Sequence, residues 1–129
     1  MTGAAQRVLY VDDEPTLVFL ITRALEKLGI ASQGFASADE ALTAFQREPQ
    51  AFTLVLTDFT MPGGMSGLEL AQAVLAIRPD TAVVIASGHI DPSEARRAAD
   101  LGVRAVIQKP AKVAEMAELV SGLLRDLRS

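Results

Sequence analysis

Apolar residues recur along this 129-residue chain in two alternating rhythms. Five short apolar, partly β-branched runs have the length and composition of strands: RVLYV at 7–11, IASQGF at 30–35, FTLVLT at 52–57, TAVVIAS at 81–87 and RAVIQ at 104–108. Between them apolar residues return every three or four positions. Leu17, Leu20, Ile21, Ala24, Leu25 and Leu28 fall on one face of a helix that Gly29 ends. Ser37 with Glu40 and Asp91 with Glu94 have capping-box spacing, and Pro92 suits a first helical position, so helices are predicted to begin near 38 and 92. The helix from about 92 to 101 offers mainly Ala95, Ala98, Ala99 and Leu101 to the sheet, and a last helix sets Val113, Met116, Ala117, Val120, Leu123, Leu124 and Leu127 on one side.

Strand and helix in regular alternation predict an α/β fold: a doubly wound, five-stranded parallel sheet covered by helices on both faces and joined by right-handed crossovers. No repeat, low-complexity tract or linker divides the chain, so a single domain over 1–129 is expected, its core spanning about 7–127, with loose ends at the first six and last few residues. A hydrophobic content of 50% is ample for one continuous core.

The run VLYVDDEP at 8–15 adds a problem of charge. Asp12, Asp13 and Glu14 close an apolar strand with no basic neighbour, and carboxylates a few ångströms apart repel by roughly 1 to 4 kcal/mol. A cation is needed close by. In a doubly wound sheet the loops after the carboxyl ends of the strands build the binding crevice. The first strand ends in Asp12 and Asp13, the third in Thr57 and Asp58, the fourth in Ser87, Gly88 and His89, and the fifth in Lys109 and Pro110. All belong on one edge. Mg²⁺ prefers hard oxygen ligands, which Asp12, Asp13 and Asp58 supply, whereas a lone histidine and no cysteine argue against Zn²⁺. With Mg²⁺ and Lys109 in place, phosphoryl transfer to Asp58 becomes the chemistry this edge suits.

Composition narrows the partners. A formal charge of -4 with scattered Lys and Arg argues against direct binding of nucleic acid or an anionic membrane. Without cysteine there is no disulfide framework, the opening MTGAAQR lacks a signal peptide's apolar core, and no run reaches the ~18 residues of a membrane span. A cytoplasmic location is expected.

The stretches YVDDEP, LVLTDFTMPGGMSGLEL, VIASG and VIQKP, in this order and at these intervals, resemble the receiver domain of two-component response regulators and hybrid histidine kinases over residues 7–127. The resemblance implies a flavodoxin-like sandwich with strand order 2-1-3-4-5 and a cis bond before Pro110. It implies that Asp12 and Asp13 hold Mg²⁺ together with Asp58 and the backbone carbonyl of Thr60. Asp58 would accept the phosphoryl group, Ser87 hydrogen-bond it and Lys109 pair with it. The donor would be a histidine kinase or phosphotransfer domain, and an output domain or parent sensor kinase would lie outside this chain. Thr60 and His89 would flank the phosphoryl group, although an exposed loop histidine is also an ordinary surface residue.

Two positions depart from the family's pattern. Val106 stands where an aromatic residue is usual, and the loop after Asp58 carries one extra residue among Gly63, Gly64 and Met65, in a stretch that reads as a plain turn. Two rival readings are weaker. A hydrolase with an aspartyl-phosphate intermediate would carry a second acid two residues after Asp58, where this chain has Thr60, and an interaction module that no longer accepts phosphate would lack part of the set Asp12, Asp13, Asp58, Ser87 and Lys109. The chain is thus expected to be a signalling switch that phosphorylates and dephosphorylates itself rather than a metabolic enzyme, either free-standing or cut from a longer protein.

Overall fold

A computed structural model describes residues 7–128. Strands and helices alternate throughout: β1 (Arg7–Val11), α1 (Pro15–Lys27), β2 (Ser32–Phe35), α2 (Ala38–Arg47), β3 (Phe52–Asp58), α3 (Gly67–Ile77), β4 (Ala82–Ser87), α4 (Pro92–Leu101), β5 (Ala105–Gln108) and α5 (Val113–Arg128). A single 3₁₀ turn, Pro49–Ala51, precedes β3. The strands form one sheet, all neighbours parallel, in the order β2-β1-β3-β4-β5. The loose end expected over residues 1–6 lies outside the described residues, while α5 continues to Arg128.

Period-two alternation along the central strands sends successive side chains into two separate cores. Val8 and Tyr10, Leu54 and Leu56, and Ala82, Val84 and Ala86 face a core with Ile21 and Leu25 of α1 and Met116, Ala117 and Val120 of α5. Leu9 and Val11, Val55, and Val83 and Ile85 face the other, with Phe45 of α2, Leu70 and Val74 of α3 and Ala98 of α4. Each fully buried aliphatic or aromatic side chain contributes about 1.5–3 kcal/mol. Burial on both faces also fixes strand register, because a one-residue slip would exchange every side chain between the cores.

Local signals set the helix ends. Gly29, at φ +78°, lets the backbone turn left-handed while Gly29 N–H donates to the Glu26 carbonyl and Ile30 N–H to that of Leu25. Ile30 is therefore spent on closing α1, and β2 begins two residues later than its apolar pattern predicts. Ser37 caps α2 by accepting from Glu40 N–H at 3.2 Å. Asp91 caps α4 through Ser93 N–H at 2.9 Å rather than through Glu94, so the expected helix start stands and the expected box does not. The full reciprocal box is at Ser66 and Glu69, opening α3.

Within α4, Ala98 alone is fully buried; Ala95 and Leu101 are half-buried and Ala99 faces solvent, contrary to expectation. Ala99 is one residue past Ala98, about 100° around the helix, which carries it off the narrow buried stripe. The peptide bond before Pro110 is trans, not cis. The chain enters α5 through the isomer that X–Pro bonds prefer by about 0.5–1 kcal/mol.

Gly67 is where α3 meets the end of β3. Its N–H donates to the Phe59 carbonyl at 2.9 Å, and a Cβ there would overlap the Asp58 carbonyl. Backbone, unlike a flexible side-chain tip, has little freedom to move aside. Gly67→Ala is expected to lower unfolding free energy by roughly 1–3 kcal/mol, the range for overpacking, as read from the urea midpoint. An unchanged midpoint would show that the α3 start relaxes freely.

Candidate functional site

The sheet's topological switch point lies between β1 and β3, whose outgoing connections run to opposite sides. Asp12 follows the last residue of β1 and Asp58 is the last of β3, so the switch point carries both acids. Asp12 is fully buried and Asp58 nearly so, while Asp13 is exposed. The three carboxylates nevertheless present oxygens within 4.8 Å of one another.

The missing cation of the DDE run is Lys109, brought in just after β5. Its Nζ lies 2.8 Å from Asp12 Oδ2, 2.9 Å from Asp58 Oδ1 and 3.1 Å from Asp58 Oδ2. Asp12 also accepts from Tyr10 O–H at 2.9 Å and from Glu14 N–H at 3.0 Å. These bonds decide which acid carries charge. Burial pushes the Asp12 carboxyl up, but Lys109, the Glu14 amide and the Tyr10 hydroxyl together hold it below the usual carboxylate range. Asp58 has fewer donors: burial, reinforced by the nearby Asp12 charge and only partly offset by Lys109, pushes it up to about 7. Burial also pulls the Lys109 ammonium down, but its two carboxylate partners outweigh that and raise it. Burial, with Asp12 next to it, raises the Tyr10 phenol as well, so it remains a donor.

Above the acids a pocket of about 230 Å³ is lined by Asp58, Phe59, Thr60, Ala86, Ser87, Gly88 and Lys109. Ser87 reaches its rim, but its hydroxyl serves its own loop, donating to the His89 carbonyl at 2.7 Å and accepting from His89 N–H at 3.2 Å. Gln108 Nε2 ties the same loop to β5 by donating to the Gly88 carbonyl at 2.5 Å. Thr60 is exposed in the pocket lining, and His89, also exposed, is the residue after Gly88 of that lining. Val106 is half-buried against the α2–α3–α4 core. The structure thus brings Asp12, Asp58 and Lys109 into direct contact, sets Asp13 and Thr60 beside them, and leaves Ser87 one loop rearrangement away. The bond that sequence reasoning missed is Tyr10 to Asp12. Its signal was their spacing of two, which puts them on one face of an extended strand.

Comparison with known proteins agrees with this geometry. Over 108 residues the chain is 36% identical to the C4-dicarboxylate transport transcriptional regulatory protein DctD of Rhizobium meliloti, covering 84% of this chain and 23% of that protein. Over 125 residues it is 30% identical to the sensor histidine kinase GacS of Pseudomonas protegens, covering 93% of this chain and 13% of the kinase. The chain therefore spans a quarter or less of the length of these relatives. A response regulator receiver domain protein from Clostridium thermocellum superposes with a TM-score of 0.81 at 27% identity, covering 95% of this chain and 97% of that one. The family model for the response regulator receiver domain matches residues 8–121, and with the sheet order and the acidic switch point already in hand, the chain belongs to that family, the phosphoacceptor signalling domains of two-component systems.

Proposed function

We propose that this receiver takes a phosphoryl group onto Asp58 from a partner's phosphohistidine, carried by a histidine kinase or a phosphotransfer domain. The observation that carries this reading is the meeting of three carboxylates, oxygens within 4.8 Å, with one ammonium at the switch point. Their hard, anionic oxygens fit Mg²⁺, which Asp12, Asp13, Asp58 and the Thr60 backbone carbonyl would hold. When bound, the ion neutralises phosphoryl oxygens that the carboxylates would otherwise repel. Asp58 supplies the nucleophile: one of its oxygens forms the new O–P bond as the donor's N–P bond breaks, and that electron pair returns to the histidine ring. Lys109, already touching Asp58, follows the transferred charge. Ser87 exchanges its bond to the His89 carbonyl for one to a phosphoryl oxygen.

Thr60 and His89, both exposed and each two residues after a site residue, set the approach of water and so the phosphoryl lifetime. No acid stands two residues after Asp58 to protonate a leaving group, which favours a self-modifying switch over a hydrolase that turns over an external substrate. We place residues 7–127 in one such domain, working in the cytoplasm where ATP-dependent histidine phosphorylation takes place. It is read out by a parent sensor kinase or an attached output domain, in line with the names of the relatives. The response leaves through the Ser87 loop and α4. Val106 offers no ring to swing into vacated space, and α4 is held by one fully buried alanine.

Incubation with acetyl phosphate and Mg²⁺ is expected to add one phosphate, mapped by mass spectrometry to Asp58; labelling that persists in Asp58→Asn would reject the assignment. A second expectation follows from charge. In the metal-free protein Asp58 titrates near 7, above its unfolded value of about 3.9. Between those values the folded state holds the extra proton, so this group costs stability as pH rises. Asp58→Asn should therefore raise the metal-free melting temperature at about pH 8 by a few degrees, with the gain shrinking towards about pH 5. Mg²⁺ affinity, by calorimetry, should fall as pH drops through the same window. An opposite slope of either quantity would contradict the charge assignment. Finally, beryllofluoride should change amide exchange most between Ser87 and Arg104, and Val106→Tyr should alter the size of the change. Protection confined to the surroundings of Asp58 would rule out the α4 route.

A further inference from the structure

The Asp12 carboxylate has room for about four donors and uses three. Two are fixed. Glu14 N–H, 3.0 Å from Oδ1, belongs to the turn into α1. Tyr10 O–H, 2.9 Å from Oδ2, stands on β1 with its ring 2% exposed in the α1–α5 core. The third is not fixed. Lys109 sits on a flexible four-carbon stem, divides its ammonium between Asp12 and Asp58, and is the group that must follow a phosphoryl group when one arrives. When it leaves, Oδ2 of a fully buried carboxylate loses its 2.8 Å partner. A buried charge stripped of hydrogen bonds is strongly disfavoured, and a carboxylate held at one oxygen only is free to rotate.

From this we infer that Tyr10 is the positioning residue of the acidic site: its hydroxyl holds the Asp12 carboxylate in one orientation while Lys109 moves from Asp12 to the phosphoryl group. A neutral donor suits this task. A second lysine at that place would compete with the incoming cation, and a phenylalanine would leave Lys109 as the sole donor to Oδ2, tied to Asp12 at the moment it is needed at Asp58. The rigid ring also takes no long side-chain entropy out of the unfolded state, since it is packed for its apolar surface in any case. This inference rests on the Mg²⁺ reading of Asp12, Asp13 and Asp58, and the test separates the two.

Mg²⁺ is titrated calorimetrically into the wild type, Tyr10→Phe and Asp13→Asn. Acetyl phosphate labelling is followed across Mg²⁺ concentrations in the first two. Loss of a hydrogen bond that orients a metal ligand weakens affinity by about 10-fold or more. Tyr10→Phe is thus expected to raise the Mg²⁺ dissociation constant about 10-fold, and, with Lys109 held at Asp12, its labelling rate at saturating Mg²⁺ is expected to stay more than about twofold below wild type. A merely structural tyrosine would lower the melting temperature and leave the dissociation constant alone. That result, with Asp13→Asn weakened as a ligand should be, overturns the role of Tyr10 and spares the metal reading. A wild type that takes up no Mg²⁺ overturns both. Tyr10 is the only tyrosine in the chain, so near-ultraviolet absorbance gives a readout independent of the variant's folding. A wild-type tyrosine signal that saturates with Mg²⁺ supports the inference, and a flat one refutes it.

Discussion

One ammonium shared between two buried carboxylates governs the chemistry of this molecule. Burying an ionised carboxylate costs several kcal/mol unless it is paired and hydrogen-bonded, and two side by side cost more. Lys109 settles that cost unevenly. Asp12, with Tyr10 and Glu14 also donating, stays a stable anion; Asp58, with fewer donors, remains poised near neutrality. A carboxylate so placed is ready either to join a cation or to be converted into something that no longer repels its neighbour. The imbalance between the two acids is the chemical content of the site.

The scaffold exists to hold that imbalance in place. Parallel strands buried on both faces cannot slip, so the ends of β1, β3, β4 and β5 stay aligned at one edge. The Ser66–Glu69 box starts α3 at a fixed residue, and Gly67 lets that start press against the Asp58 carbonyl. The Ser87 loop is bound mostly to itself and to Gln108, and α4 beneath it contributes little buried area. Packing and hydrogen bonding are thus concentrated around the acids and sparser around the Ser87 loop and α4.

Much of this was legible in the sequence. Five apolar, partly β-branched runs marked the strands, and the polar residues at their ends marked the site, because an α/β sheet collects strand ends on one edge. The misses have physical causes. Strand starts slid by up to two residues where an apolar residue serves a helix exit, as Ile30 does. The Ser66–Glu69 box was hidden inside a glycine-rich stretch that read as a plain turn, although its S-x-x-E spacing was in view. Ala99 shows that a run of alanines does not reveal the width of a buried stripe. Sequence reasoning put Lys109 on the same edge but assigned the charge of the acidic pair to a metal and the lysine to the phosphoryl group. That Lys109, 97 residues from Asp12, bonds directly to that carboxylate is a matter of side-chain reach, which the position of strand ends does not record.

That separation has a bearing on how the chain reaches its native state. Lys109 bonds to Asp58 across 51 positions and to Asp12 across 97, so the three groups meet only when β5, the last strand, docks. Contacts this distant in sequence come with a high entropic cost of closure and tend to form late. Until then the edge of β1 and β3 holds like charges without their counterion, and water must stay among them. The edge gains its internal counterion only with the final strand in place. The residues that make the domain reactive also tie the first strand of the sheet to the last.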